Sequence, residues 1–238
     1  MKRITKRFLE LLALFSVEAV VIWMTLLVCL LVFSYMVQMV FVYHDTGLDN
    51  SLFSFAASHR SPGMTSLMRG VSFFASLDYL LVAPALLVLV FAWFRRLRWY
   101  ALKVLLIAFS SSMLNQLMKH LFERPRPETA LFVQSGLSFP SGHAMIGGSF
   151  YGLLIYIIWR EVRSPFWKWL WTSLLTLLLL LIGYSRVYLH VHYATDVLAG
   201  YAVGILWLLL AIFLLNKLEK SYVQRYVLKE RPDDSPAT

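Results

Sequence analysis

The chain has 238 residues, 59% of them hydrophobic and 15% charged, with a formal net charge of +9. Soluble domains run nearer roughly 45–50% apolar and about 25% charged, and the apolar excess here falls in long runs, which excludes a soluble globular domain. The basic residues gather at the ends of those runs, where they serve topology and anionic headgroups, which excludes a nucleic-acid-binding surface.

A helix needs roughly 20 apolar residues to cross a hydrocarbon core about 30 Å thick, and backbone groups in lipid must bond within their own element. Six such spans are expected, at about 17–41, 67–93, 99–119, 143–160, 166–184 and 194–215. They make one all-α, six-transmembrane-helix bundle. The N-terminus, MKRITKRF, is basic like a signal peptide, but the apolar stretch behind it far exceeds a signal core of about 7–15 residues. It reads as a retained first helix. Residues 1–16 are the basic start of an interfacial or extended helix, with Glu10 and Glu18 holding its first turns at or beyond the interface. The membrane domain covers 17–216, and 217–238 form a charged cytoplasmic tail ending in RPDDSPAT. Cys29, the single cysteine, lies inside the first run and supports neither an intrachain disulfide nor a metal site.

Two polar loops separate spans. Residues 43–66 form the first, with room for a short helix. The second, 120–142, contains ERPRPETALFVQSGLSFPSG, whose prolines and glycines rule out a continuous helix.

Charge sets the orientation. With both termini cytoplasmic, the inner side collects Lys2, Arg3, Lys6 and Arg7, then Arg95, Arg96, Arg98 and Lys103. Arg160, Arg163 and Lys168 follow, and then Lys217, Lys220, Arg225, Lys229 and Arg231. The outer side keeps Arg60, Arg69, Lys119, Arg124, Arg126 and Arg186. The bias agrees at every inner segment.

Three stretches break the apolar pattern, and the alternation of spans puts all of them on the outer face. KHLFERPRP carries Lys119 and Arg126, FPSGHAM opens the fourth span, and YSRVYLHVHYATD joins the fifth to the sixth. Each cation alone could be an interfacial snorkelling residue, and Ser141 with Gly142 could be a simple cap and turn. Together they suit phosphate better than a carboxylate or a sugar. Arginine forks match phosphoryl oxygens, lysine adds a point charge, and a helix start at Ser141-Gly142 offers free N–H groups. His143 follows that turn and can deliver a proton near neutral pH. His192 and Asp196 stand i, i+4, so one helical face would let the carboxylate orient the imidazole and leave its other nitrogen as a nucleophile. Asp196 also suits a helix dipole without any catalysis. His190 lacks that spacing and receives no chemical role. His143, His190, His192, Asp196 and Glu123 could in principle hold a divalent ion, but three cations aimed at the same place would repel it and no HExxH-type cluster occurs.

The pattern Lys119, six residues, Arg126-Pro127, then PSGH, then Ser185-Arg186, five residues, His192, three residues, Asp196, resembles the type 2 phosphatidic acid phosphatase family of membrane lipid phosphatases. The resemblance covers about residues 65–215. It implies a fold and phosphate site shared with vanadium haloperoxidases. It also implies that Lys119, Arg126 and Arg186 hold the phosphoryl oxygens with Ser141 and the backbone of Gly142. His192 would then form a phosphohistidine, Asp196 would orient it, and His143 would protonate the leaving oxygen, with no metal or other cofactor. The expected partners are a phosphorylated membrane lipid and water, with undecaprenyl pyrophosphate or phosphatidylglycerophosphate favoured. The expected location is a bacterial inner (plasma) membrane, crossed several times, with the site facing the periplasm or exterior. The rivals are a phosphotransferase using a lipid or sugar acceptor, and a non-catalytic lipid-binding or transport protein on the same scaffold. Oligomeric state is not legible.

Overall fold

The apolar runs fold as helices in a computed structural model that describes residues 17–224. The basic segment 1–16 and the tail beyond residue 224 lie outside the described residues. Helix α1 (Val17–Val37) passes into a π-helical turn, Gln38–Val42. Helix α2 (Gly47–Ser58) occupies the first polar loop, followed by α3 (Pro62–Phe73) and α4 (Leu77–Trp93). A 3-10 turn, Arg95–Leu97, leads into α5 (Arg98–Phe122). The bundle closes with α6 (Gly142–Glu161), α7 (Pro165–Tyr188) and α8 (Ala194–Tyr222).

Among the described residues, five helical segments are long and apolar enough to cross a membrane: Ala19–Val42, Arg95–Phe122, Gly142–Glu161, Pro165–Tyr188 and Ala194–Tyr222. The pair Pro62–Phe73 and Leu77–Trp93, bent by 41°, becomes a sixth only as one broken span. This corrects the continuous second span expected over 67–93. Ser76 causes the restart: its side chain accepts from the Tyr79 N–H at 3.3 Å, capping a new helix. The Phe74 carbonyl at the break accepts from the Tyr151 hydroxyl at 2.6 Å, so the interruption leaves it satisfied. The loop before it is also shorter than expected. Ser61 caps α3, accepting from Met64 N at 3.2 Å, with Pro62 pre-set for the first helical turn.

Bulky side chains such as Trp23, Leu31, Leu89, Phe109, Leu177 and Phe213 point outward from the bundle. An apolar surface of that extent is stable against lipid, not water.

Helices α6 and α8 run side by side with their N-termini at the same end. Their close approach depends on two glycines of α8. A Cβ at Gly200 would sit 2.8 Å from the Ser141 carbonyl oxygen, and one at Gly204 would sit 2.5 Å from that of Met145. Small residues let backbones meet in this way in lipid, where apolar burial gives no net attraction between helices. The Ser149 hydroxyl adds a cross-helix bond to the Gly204 carbonyl, 3.0 Å. The crossing places the PSGH turn beside the start of α8, where the Ser141 N–H donates to the Asp196 carbonyl at 3.0 Å.

Candidate active site

The site is built where α5 and α7 end and α6 and α8 begin. Helix α5 stops at Glu123, which takes a left-handed conformation (φ 46°) and turns the chain across the bundle end. Lys119, one turn earlier, donates from Nζ to the Leu137 carbonyl, 2.5 Å. Arg126 donates from Nε to Gly136 O (2.9 Å) and from Nη1 to Val191 O (2.8 Å). Its Nη1 also meets His192 Nε2 at 3.0 Å. Arginine has only donors, so that ring nitrogen must present its lone pair.

The other face of the His192 ring settles the tautomer. Nδ1 lies 3.4 Å from Asp196 Oδ2 and 3.4 Å from the Ser138 hydroxyl. With Nε2 accepting, Nδ1 carries the proton and Asp196 receives it. Both residues are buried, His192 at 1% exposure and Asp196 at 0%. Burial pushes the His192 imidazole down to about 4; Asp196 pulls the other way, and Arg186 and Arg126 push down further. The ring is therefore neutral across the physiological range. Asp196 is held on both oxygens: Oδ2 accepts from the Ser138 hydroxyl and from Tyr193 N (3.0 Å), and Oδ1 accepts from Arg124 Nη1 (2.6 Å).

Arg186, on the last turn of α7, is 2% exposed. Its two terminal nitrogens donate to neutral oxygens, those of Ser72 (2.5 Å) and Gln134. Among the described residues, no carboxylate is paired with it, and its buried Nε has no partner. The Ser141 hydroxyl, buried at the N-cap of α6, also has no partner and does not bond its own helix. Gly142 opens α6 against Asn115, whose Oδ1 would lie 3.1 Å from an added Cβ, while Asn115 Nδ2 donates to Pro140 O at 3.4 Å. His143 is half-buried on the first turn of α6, within electrostatic range of Arg186, His192, Arg126 and Lys119. Buried donors without partners are rare in folded proteins. Two of them among three cations describe a place for an anion with several oxygens.

All eight candidate residues, Lys119, Arg126, Ser141, Gly142, His143, Arg186, His192 and Asp196, thus meet at one end of the bundle. His190 parts from them. It takes a left-handed conformation (φ 55°), stacks on Phe53 with ring centres 4.3 Å apart, and places Nδ1 2.9 Å from the Thr129 hydroxyl. Glu123 lies instead on a cleft of about 300 Å³ with Phe41, His44, Asp45, Arg124 and Tyr193, a cleft that includes none of His143, Arg186 or His192. Among the described residues, no three His, Cys, Asp or Glu side chains converge as a metal site.

Sequence reasoning missed several contributors. Arg124 was counted only as an outer charge, although it stands two residues before Arg126; its guanidinium goes to Asp49, Thr195 and Asp196, while that of Arg126 goes to Gly136, Val191 and His192. Ser138, Ser72 and Gln134 sit in ordinary loop or span contexts. Asp49 lies in a loop helix with no local signal, yet bonds Thr195 and Arg124 at the start of α8.

The sequence matches the PAP2 superfamily over residues 99–220. The phosphatidylglycerophosphatase B of Bacillus subtilis (strain 168) is 34% identical over 164 residues, covering 66% of this chain and 78% of that protein. A putative undecaprenyl-diphosphatase of Escherichia coli (strain K12) is 29% identical over 185 residues, covering 75% and 88% respectively. Among solved structures, the crystal structure of a transmembrane PAP2-type phosphatidylglycerolphosphate phosphatase from Bacillus subtilis superposes with a TM-score of 0.73 at 27% identity. The match covers 85% of this chain and 98% of that one.

Proposed function

The chain belongs to the PAP2 superfamily and is a multi-pass membrane lipid phosphatase, and we propose that it hydrolyses a lipid phosphate or pyrophosphate through a phosphohistidine on His192. The observation that carries this reading is the state of the His192 ring: Nδ1 bound towards Asp196, and Nε2 with its lone pair turned to Arg126 among unpartnered donors.

In the first step, the Nε2 lone pair forms a bond to phosphorus while the bond to the lipid oxygen breaks. His143, protonated, gives its proton to that leaving oxygen. Arg126, Arg186, Lys119, the Ser141 hydroxyl and the Gly142 N–H take up charge on the phosphoryl oxygens. In the second step, neutral His143 takes a proton from water, the water oxygen bonds phosphorus, and the P–N bond returns its electron pair to Nε2. The Nδ1 proton stays on the imidazole throughout, with Asp196 stabilising the positive ring that forms. The cations supply the charge a divalent ion would otherwise provide, so turnover should survive chelators.

The names of the relatives favour phosphatidylglycerophosphate and undecaprenyl pyrophosphate as substrates. The basic residues support cytoplasmic termini and a site on the outer face of a plasma membrane. There the tails of a lipid stay in the leaflet while its phosphate reaches the site.

The test is release of inorganic phosphate by purified protein in nanodiscs from phosphatidylglycerophosphate, undecaprenyl pyrophosphate and phosphatidic acid, with no acceptor present. His192→Ala should lose at least about 10³-fold in kcat; full activity in that variant would sink the mechanism. Phosphate release that requires an added alcohol would mark a phosphotransferase instead.

A further inference from the structure

Asp196 is tied more tightly than an orienting carboxylate needs to be. Its Oδ2 serves His192, Ser138 and the Tyr193 N–H, while its Oδ1 faces Arg124 Nη1 at 2.6 Å. Arg124 is itself fixed from several sides. Nη1 also donates to the Thr195 hydroxyl (2.7 Å), Nη2 to Asp49 Oδ2 (3.0 Å), and the guanidinium lies over the Tyr193 ring, 3.8 Å from its centre. Asp49 comes from α2, a helix that makes no other polar contact with this site, and it is 1% exposed. It accepts from Thr195 N (2.9 Å) and from the Thr195 hydroxyl (3.0 Å), so it caps the first turn of α8 while holding Arg124. The chain Asp49, Arg124, Asp196 alternates in sign from the first polar loop and ends on the neutral ring of His192, the predicted nucleophile.

We propose that Arg124, anchored by Asp49, is a positioning residue for the hydrolysis: it fixes the Asp196 carboxylate and takes up its charge on the oxygen that His192 does not use. This rests on His192 being the nucleophile. Both terminal nitrogens of Arg124 are committed to Asp49, Thr195 and Asp196, so it is not a fourth phosphate clamp. Its effect is electrostatic. A carboxylate shared with an arginine makes a neighbouring imidazole less basic than a lone carboxylate would. His192 thereby stays neutral and nucleophilic while remaining oriented.

The charged groups facing His192 are Arg126 from the loop after α5, His143 from α6, Arg186 from α7 and Asp196 from α8, with Lys119 of α5 beside them. Arg124 acts on this set only through Asp196. On its other side stand Asp49 and the cleft residues His44, Asp45 and Glu123.

The experiment is the pH profile of kcat/KM for phosphate release from phosphatidylglycerophosphate and undecaprenyl pyrophosphate, with orthovanadate inhibition measured alongside. Arg124→Gln uncovers the Asp196 charge, so His192 holds a proton to higher pH. The acid limb should rise by half a pH unit or more, about a threefold loss at a fixed pH on that limb. Arg124→Lys should restore most of it. Asp49→Asn frees Arg124 to neutralise Asp196 more fully, so its limb should move the opposite way or stay in place. Vanadate inhibition should change less than about twofold in all three, whereas loss of a phosphate-binding cation would weaken it far more.

An unmoved acid limb in Arg124→Gln, with turnover reduced, would make the network merely structural and overturn the proposal. Strongly weakened vanadate inhibition would overturn it in favour of direct phosphate contact. If Arg124→Gln fails to fold, the double variant with Asp49→Asn removes the opposed charges together. It must still raise the limb, and an unmoved limb there is equally decisive. His192→Ala in the same series separates the two readings: full activity in it sinks the nucleophile assignment, while its inactivity beside an unmoved Arg124→Gln limb sinks only this one.

Discussion

Buried cations occur at both ends of the bundle, but they are treated differently. At the end away from the site, Lys103 is 3% exposed, pairs with Glu219 at 2.8 Å, and lies over the rings of Tyr100 and Tyr156. Nearby, Glu161 accepts from Arg96 and from the Tyr100 hydroxyl, and Tyr156 bonds Asn216. Lys103 and Arg96 each meet a carboxylate there. At the site, Arg186 is equally buried yet faces two neutral oxygens and keeps one donor open. A protein that leaves a buried cation without a carboxylate leaves room for an anion that arrives later. Burial alone therefore does not mark function; unmatched burial does.

The largest effect belongs to the unmatched end. Arg186→Gln should lower kcat/KM by about 10²–10³-fold with the melting temperature in detergent almost unchanged, because no partner charge is stranded. A large loss of stability with little loss of turnover would reverse the roles of the two ends.

The next effect is on stability against pH. His192 binds its proton in the folded protein only near pH 4, whereas an unfolded histidine does so near about 6.5. The unfolded state thus holds more protons between those values, so stability falls as pH drops from about 6.5 to about 4 and levels off below. Thermal unfolding across that range should show this slope in the wild type and a shallower one in His192→Gln.

Lys103→Met tests the matched end. Glu219 keeps 31% of its side-chain surface in solvent, so its loss of a partner should cost about 1–2 kcal/mol, less than the about 3–5 kcal/mol of a fully buried pair. Thermal denaturation should show that cost while kcat stays within about twofold.

The smallest change is expected from His190→Gly. Relief of the left-handed backbone offsets the lost stacking on Phe53, leaving stability within about 1 kcal/mol and turnover nearly intact. A deep loss of activity would give His190 a chemical role that its geometry does not suggest.

The spans were legible because lipid forces apolar residues into helices long enough to count, and the site residues because chemistry demands particular types at particular intervals. The spacing pointed to the His192–Asp196 contact, although His192 lies in the bend before α8 and not on a helical face shared with Asp196. What escaped was support that arrives from elsewhere in the chain. Ser76 looks like any serine in an apolar run until its hydroxyl is seen capping α4 and breaking the second span. Asp49 lies 147 positions before Asp196 in the sequence, and nothing local distinguishes it from an ordinary acidic residue on a loop helix. Arg124 was visible but misread, because a charge next to a motif looks like topology until its partners are known.

The two glycines at the waist of α6 and α8 have a mechanical meaning. The Ser141-Gly142 turn and the carboxylate behind His192 ride on one crossing, so a tilt of one helix against the other would carry both together. Gly204 lies eight residues below Asp196, roughly 12 Å along the helix. One methyl group added there would have to push α8 off the Met145 carbonyl. Alignment at the water-facing end is therefore gauged from inside the lipid, by a contact that touches neither substrate nor solvent.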